Sequence, residues 1–365
     1  MNKFESFFFL LFLSQVCFTS VKITAQQNAD TNEIRFRDRL LPAPVNGGFK
    51  MKDYWIWCGS VIKGEDGKYH MFASRWPKGL SFTPHWLTNS EVVRAVSDKP
   101  EGPYTFQEVV LPPRGPEFWD GRMTHNPTIH KYKDKYLLFY TGTTYPQPMP
   151  TAATPVSNES ETKLYAHYHE RIGLAISNSV FGPWKRFDKP ILDVRKGKWD
   201  SLLVSNPAPV ISKDGKIYLF YKGVTVLRQH AISVAVAENP EGPYVRIADQ
   251  PFDLGVDAED PTIWFENGHY HALMLDTGKK FSNKEIYYAT SDDLLHWNAE
   301  KNPIAISKKF LWDDGQNRKM TNTERPQILV QDGKSTHVFF ATGMDDSLKV
   351  RSTWSQVIPL KQLLK

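Results

Sequence analysis

Two short phrases recur five times along the chain, and this repeat constrains the fold more than any other feature. In the first phrase a polar or small residue precedes an apolar strand, a turn and a strand rich in aromatic residues. The residues that open the five copies are Cys58, Asn126, Asn206, Asp260 and Arg325. The second phrase is another apolar strand, which in three copies leads into Gly-Pro and an aromatic residue at 102–104, 182–184 and 242–244. Such a recurrence indicates one structural unit copied along the chain.

Each repeat predicts four strands. Both phrases contain short runs of Val, Ile, Tyr and Phe bounded by Gly, Pro, Asn or Asp, a composition typical of strands and turns. The opening positions 58, 126, 206, 260 and 325 are 68, 80, 54 and 65 residues apart, a spacing that suits radially repeated four-stranded units. We therefore predict an all-β fold, a five-bladed β-propeller with four-stranded antiparallel blades around a central channel. A two-sheet sandwich is the alternative, but it does not require two phrases in constant order.

The repeats run to the end of the chain without a linker, which predicts a single propeller domain over residues 50–365. Residues 26–49 form an N-terminal extension in this interpretation. Lys3 and the apolar run 7–13 are typical of a secretory signal, and the run is too short to cross a bilayer. We assign residues 1–25 to a signal peptide and expect an exported, periplasmic or secreted protein without a membrane span. A lipid anchor at Cys17 is the less favoured alternative.

Charge and motifs exclude several classes of function. The chain has 45 Lys and Arg against 40 Asp and Glu, a net charge of +5, which suits an acidic sugar ligand or an ordinary solvated surface. No glycine-rich loop joins a strand to a helix, and neither a CxxC pair nor a His pair at helical spacing is present. The sequence therefore predicts no nucleic-acid partner, no cofactor and no metal.

Candidate functional residues are expected where the first strand of each blade reaches the channel mouth. The residues at and just before the five opening positions are Trp57, Cys58, His125, Asn126, Ser205, Asn206, Glu259, Asp260, Glu324 and Arg325. Any one Asn or Asp before Pro can simply cap the start of its strand. A whole ring of polar groups is harder to explain in this way, because buried polar groups cost free energy unless they are paired or used. Trp-Asp pairs at 119–120, 199–200 and 312–313 recur at equivalent points and are interpreted as structural.

The chain resembles the five-bladed β-propeller glycoside hydrolases, a superfamily that includes families 32, 43, 62, 68, 117 and 130. The resemblance covers nearly the whole mature chain and rests on the blade count and on Glu259-Asp260-Pro261 in blade four. In family 43 a Glu before Gly-Pro at this place is the general acid, so the resemblance implies that role for Glu259. Two departures stand against it, because Asn206 replaces an Asp that tunes the acid and Cys58 leaves blade one without a carboxylate.

Hydrolysis of a glycosidic bond uses an acid and a second carboxylate. Glu259 is the candidate acid, and we expect the charges of Asp260 and Glu324 to raise its pKa. The second carboxylate is Asp260, Glu324 or Asp53, and His125 is a further acid or base. The candidate substrate-binding residues are Arg325, Asn126, Asn206, Arg75 and Trp57.

These residues predict an exo-acting glycoside hydrolase that cleaves oligosaccharides from a polysaccharide, for which acidic or sulfated sugars are compatible substrates. One alternative is a lyase or dehydratase acting on uronic-acid-containing oligosaccharides, with His125, Glu259 or Glu324, and Arg325 as base, acid and cation. A second alternative is a glycan-binding propeller without catalysis. The sequence makes no prediction about the oligomeric state.

Overall fold

Each sequence repeat folds into one antiparallel sheet whose strands pair in chain order. The computed structural model describes residues 35–225, 227–254, 256–278, 284–346 and 349–362. The predicted signal peptide and Cys17 lie outside the described residues, so both remain predictions.

Four blades have four strands each, and the fifth has three. Blade one contains β1 (Tyr54–Lys63), β2 (Tyr69–Pro77), β3 (Glu91–Ser97) and β4 (Thr105–Leu111), with helix α1 (Phe82–Asn89) between β2 and β3. Blade two contains β5 (Met123–Tyr132), β6 (Lys135–Thr143), β7 (Arg171–Ser177) and β8 (Lys185–Arg186), with helix α2 (Glu161–Tyr168) between β6 and β7. Blade three contains β9 (Val204–Ile211), β10 (Ile217–Val224), β11 (His230–Ala237) and β12 (Val245–Arg246). Blade four contains β13 (Ala258–Glu266), β14 (His269–Asp276), β15 (Ile286–Ser291) and β16 (Asn298–Ile306). A hairpin of β17 (Lys309–Leu311) and β18 (Asn317–Lys319) precedes blade five, which contains β19 (Asn322–Gln331), β20 (Lys334–Asp346) and β21 (Lys349–Pro359).

The first strands of the blades form a closed ring. β1 contacts β5, β5 contacts β9, β9 contacts β13, β13 contacts β19, and β19 contacts β1. Apolar clusters fill the spaces between successive sheets, such as the one that joins Leu137 and Phe139 of blade two to Leu219 and Tyr221 of blade three. The predicted five-bladed β-propeller is confirmed, and its core lies between the blades.

The recurring Trp-Asp pairs anchor the blades internally. Asp120 is fully buried and contacts Arg114 at 2.7 Å, Arg186 at 3.2 Å and the Tyr140 hydroxyl at 2.7 Å. Asp200 is also fully buried and makes the same kinds of contact, with two arginines and a tyrosine of blade three. Both carboxylates are fully engaged, which agrees with their structural interpretation.

Blade five is completed by residues from the other end of the chain. The backbone of Phe49 exchanges hydrogen bonds of 2.9 and 3.1 Å with Ser355 of β21. The amide of Leu41 donates to the carbonyl of Pro359 at 3.0 Å. Phe36 packs its ring on Trp264 of blade four, with 5.9 Å between centroids. The described part of the predicted N-terminal extension is thus paired with the last strand of the propeller.

A β-bulge occurs in the first strand of every blade at the residue that opens the repeat. The φ angles of these residues are 51° at Cys58, 51° at Asn126, 55° at Asn206, 56° at Asp260 and 54° at Arg325. The strand register shifts at each of these points. A bulge places two residues of one strand opposite one residue of its partner and re-aims their side chains. The repeat register read from the sequence therefore coincides with a backbone feature found in all five blades.

The five bulges lie at one end of the ring, which we call the mouth. Because strands alternate in direction, the first strand of a blade begins at the mouth and the connection from its second to its third strand lies there too. Helices α1 and α2 occupy two of these connections and contact each other. Neither described helix has the length and apolar character needed to cross a membrane.

Candidate active site

The side chains at the bulges bond to one another and close the channel below the mouth. Asn126 Nδ2 donates to Asn206 Oδ1 at 2.8 Å, and Asn206 Nδ2 donates to Asp260 Oδ1 at 2.5 Å. The backbone amide of Arg325 donates to Asp260 Oδ2 at 3.2 Å, and its guanidinium donates to the carbonyl of Asn126 at 3.3 Å. All four residues are buried. These bonds link blades two, three, four and five in a ring that we call the floor.

Glu259 lies one residue before the floor and carries a stable negative charge. Its Oε2 atom is 3.1 Å from Lys222 Nζ and 3.5 Å from His230 Nδ1. Burial acts to raise the pKa of Glu259, but the Lys222 ammonium and His230 outweigh it and leave that pKa below its usual range. The expectation that neighbouring carboxylates raise this pKa is therefore wrong, because the Lys222 ammonium lies 3.1 Å away and lowers it.

Glu170 is a second buried carboxyl group at the mouth, between α2 and β7. It is 2% exposed, and no described residue hydrogen-bonds to its Oε2 atom. The Nδ1 atom of His167 lies 3.7 Å from that Oε2 atom. That imidazole is neutral near pH 7, since burial and the charge of Lys222 lower its pKa to about 3. Burial raises the pKa of Glu170 to about 7, Lys222 opposes the shift, and the charge of Glu259 adds to it.

Lys222 connects the two glutamates electrostatically. It is 7% exposed near the mouth end of β10. Burial acts to lower its pKa, but Glu259, Glu170 and Asp260 together raise it, so the side chain stays an ammonium ion. Carboxyl groups whose surroundings push their pKa values apart can divide acid and base work between them. Glu259 and Glu170 have this relationship across Lys222.

Two further predicted carboxyl groups share the mouth, and the third does not. Burial, together with the charge of Glu259, raises the pKa of Asp260 to about 7 against the effect of Arg325. Burial also raises the pKa of Glu324, whose Oε1 atom accepts a 2.6 Å hydrogen bond from Asn322. Asp53 is exposed in the segment before β1, and its carbonyl accepts a hydrogen bond from the amide of Lys78. Asp53 therefore lies outside the buried carboxyl cluster.

His125 lies in an aromatic wall on the blade-one side of the mouth. Its Nδ1 atom is 2.7 Å from Ser90 Oγ, and its ring is 5.3 Å from that of Trp86. Burial, with Arg325 and Lys222 adding to it, lowers the pKa of His125 to about 3, so the imidazole is neutral and a weak base. Trp57 is 7% exposed and packs edge-on against Phe82 at 5.1 Å. The wall consists of Trp55, Trp57, Trp76, Phe82, Trp86 and His125.

Arg75 serves a structural purpose in blade one. Its Nε atom donates to Glu91 at 2.9 Å, and its guanidinium lies between the rings of Tyr54 and Phe106, at 4.1 and 4.4 Å. The adjacent Ser74 points to the other side of the sheet, where its hydroxyl accepts from the amide of Asn126. Arg75 is thus separated by the sheet from the predicted binding residues of the floor.

Lys222, Glu170, His167 and His230 were not among the candidate site residues predicted from the sequence. Lys222 had a detectable signal, because in the strand register it faces the residue just before the bulge, Ser205. The same position in the other blades holds Ser74, Thr141, Leu275 and Ala341. Lys222 is the one charged side chain of the five. Glu170 and the two histidines lie in or beside connections that differ from blade to blade, so no repeat pattern identifies them. Among the described residues, no group of three or more His, Cys, Asp or Glu could hold a metal ion.

Comparison with solved structures places this geometry in a known fold. BT0996, solved as an RGII complex, superimposes with a TM-score of 0.64 at 16% identity, over 88% of this protein and 93% of that one. Zg3597, a family 117 glycoside hydrolase of the marine bacterium Zobellia galactanivorans, superimposes with a TM-score of 0.60 at 15% identity, over 88% and 89%. A thermostable family-43 glycoside hydrolase gives 0.59 at 16% identity, over 90% and 94%. The protein shares the fold of these glycoside hydrolases. No family model matches the sequence, and no curated protein is similar to it.

Proposed function

We propose that this propeller is a glycoside hydrolase whose active site lies at the mouth. The observation that carries the proposal is Glu259, a half-buried carboxylate 3.1 Å from the Lys222 ammonium, beside carboxyl groups of raised pKa at Asp260 and Glu324. Glycosidic hydrolysis requires one carboxylate to attack carbon or activate water and one carboxyl group to protonate the leaving oxygen. The mouth offers both kinds of group, and the shared fold supports the same chemistry.

The low pKa of Glu259 decides which part it takes. A carboxyl group that has already lost its proton near pH 7 cannot protonate a leaving group, but it can act as nucleophile or general base. Its neighbour Lys222 is held in the ammonium form and cannot accept that proton. We therefore assign Glu259 the role of base or nucleophile, which differs from the acid role that the resemblance implied.

The floor of the channel supports attack on the end of a glycan. The hydrogen-bonded floor formed by Asn126, Asn206, Asp260 and Arg325 closes the channel below Glu259. Helices α1 and α2 stand on the blade-one and blade-two side of the mouth, and Phe82 and Trp86, the two partly exposed members of the aromatic wall, offer apolar faces on which a sugar ring can stack. We propose an exo-acting enzyme that removes a terminal sugar from an oligosaccharide, exported by the predicted signal peptide.

The two alternative functions have weaker support. Elimination assigned to His125 and Arg325 requires a base and a cation that reach the substrate. His125 is a weak base, and the guanidinium of Arg325 is 1% exposed and bonded within the floor. A binding propeller without catalysis gains nothing from a cluster of buried carboxyl groups, whose burial costs free energy.

The test is a panel of neutral and acidic oligosaccharides followed by mass spectrometry. Addition of one water across a cleaved bond is the expected result, and Glu259→Gln should lower turnover roughly 100-fold or more. Glu161→Gln, on the exposed side of α2, is the matched control for loss of one carboxylate and should keep full turnover. An unsaturated product would support elimination instead. Binding without turnover, or full activity of Glu259→Gln, would contradict the proposal.

A further inference from the structure

We propose that Glu170 is the proton donor of this site, the group that protonates the glycosidic oxygen while Glu259 acts on the anomeric carbon. This inference rests on the proposed hydrolase function and adds a residue that neither the repeat pattern nor the resemblance pointed to. Its basis is the placement of Glu170 beside Lys222 and Glu259, on a different blade from either.

The Glu170 carboxyl group lacks a hydrogen-bond partner on one of its oxygens within the described part of the chain. Glu170 is 2% exposed, and its Oε2 atom has no hydrogen-bond partner among the described residues. Leaving a buried polar atom unpaired costs free energy, so such atoms are rare in native structures. A glycosidic oxygen or sugar hydroxyl in the mouth would supply the missing partner. The structural carboxylate of Asp120, by contrast, has both of its oxygens bonded inside the protein.

The two cations that act most strongly on Glu170, Lys222 and Arg171, are bound to other groups. Lys222 pairs with Glu259 at 3.1 Å. Arg171 contacts Asp193 and donates to the carbonyls of Tyr168 and Glu170 itself at 3.1 and 2.8 Å. The remaining groups that face Glu170 are Lys163 and His167 on α2 and the Glu259 carboxylate on β13. With no cation paired to its carboxyl group, Glu170 can keep a proton at neutral pH, in agreement with its pKa of about 7.

Glu170 and Glu259 therefore have different roles in the reaction. Glu170 gives its proton to the glycosidic oxygen as the bond from that oxygen to the anomeric carbon breaks, and the rest of the glycan leaves as an alcohol. One water is consumed in the cycle. Its hydroxyl bonds to the anomeric carbon, and its remaining proton replaces the one that Glu170 gave away. Lys222 acts as a positioning residue that keeps Glu259 ionised throughout.

The test compares two leaving groups and measures the alkaline limb of the kcat/KM profile. With wild type, kcat/KM should fall as pH rises through the pKa of Glu170, because the acid must be protonated. Glu170→Gln should lose this alkaline limb. Its kcat/KM should fall roughly 100-fold to 1000-fold on the natural oligosaccharide, the range for loss of a general acid. On the dinitrophenyl glycoside of the same sugar it should fall less than about tenfold, because that leaving group departs without a proton.

Three variants separate the possible outcomes. Glu259→Gln should be impaired on both substrates, and Glu161→Gln on neither. Asp260→Asn shows which group produces the alkaline limb of the pH profile, because Asp260 also has a pKa of about 7. If Asp260→Asn abolishes the limb and Glu170→Gln keeps it, Glu170 is not the donor. Equal losses of Glu170→Gln on both substrates, with thermal unfolding like that of wild type, would also overturn the proposal. Failure of the hydrolase function itself would look different, since wild type would then release no sugar from either substrate.

Discussion

At the scale of single residues, Lys222 determines more of the site than any carboxyl group does. Its ammonium is 3.1 Å from Glu259 and also interacts with Glu170 and Asp260. A single positive charge cannot neutralise three carboxyl groups, so only the closest one is kept ionised. Glu170 has no cation paired with it in the described part of the chain, and Asp260 is paired more weakly, so both keep raised pKa values. Lys222 therefore sets the pKa of the base, Glu259, apart from the pKa values of the carboxyl groups that can act as acids.

Removing this charge should change the pH dependence of catalysis. In Lys222→Met the pKa of Glu259 is expected to rise, because burial is then opposed by His230 without the nearer Lys222 charge. Since Glu259 must be ionised, the acid limb of the kcat/KM profile should move to higher pH, with the largest loss of activity below neutral pH. Lys216→Met, an exposed pair of Glu238 at the other end of the same blade, is the matched control. An acid limb that stays in place would contradict the role of Lys222.

At the scale of elements, the bulge in the first strand of each blade places side chains in the candidate active site. Asn and Asp tolerate the left-handed conformation better than most residues, which suits three of the five bulges. Their short amide and carboxyl side chains then reach across the channel and bond to the next blade. Residues just before the bulge, including Glu259, are thereby carried to the level of the mouth.

Substitutions at Asn206 can separate the two contributions of a bulge residue. Asn206→Gly keeps the positive φ but loses the bonds to Asn126 and Asp260, and should lower the free energy of unfolding by about 2–3 kcal/mol. Asn206→Ala loses the same bonds and adds a strained φ, for a further cost of about 1 kcal/mol. Denaturant unfolding of both variants measures the difference. Equal stabilities would show that the conformation at this bulge costs nothing.

The repeat, the blade count and the residue that opens each blade could be predicted from sequence, because each depends on a pattern copied within the chain. Glu259, Asp260 and Glu324 were found at the mouth for the same reason. The bulge at each opening residue was not predicted. The direction of the Glu259 pKa shift could not be predicted, since it depends on Lys222 from the preceding blade. Arg75 and Arg325 were expected to bind substrate, but sequence does not reveal that Glu91 already pairs with the Arg75 guanidinium and that the Arg325 guanidinium is buried in the floor.

At the scale of the whole molecule, the propeller is one ring joined where the two ends of the described residues meet. Residues 41–49 complete the sheet of blade five beside β21, and the Phe36 side chain reaches the core between blades four and five. Because every blade packs on two neighbours, loss of contacts at the junction weakens the ring as a whole rather than one edge of a stack.

Truncating the junction should therefore destabilise the whole protein. Phe36 is 3% exposed, and Phe36→Ala should lower the free energy of unfolding by about 3–5 kcal/mol, the usual range for a buried phenylalanine. Leu227→Ala, at a side chain that is 77% exposed, should stay within about 0.5 kcal/mol. Denaturant unfolding should show a single transition for both. A separate early transition in Phe36→Ala would show that blade five unfolds independently.

The pairing of Phe49 with Ser355 also sets an order of events during synthesis. The ribosome makes residues 41–49 before the five blades, and it makes their partner strand β21 after every other strand of the propeller. Throughout translation the growing polypeptide therefore carries blades with an open edge and a first segment that has nothing to pair with. Unpaired strand edges are sites of aggregation. The nascent propeller therefore keeps these unpaired edges until β21 has left the ribosome.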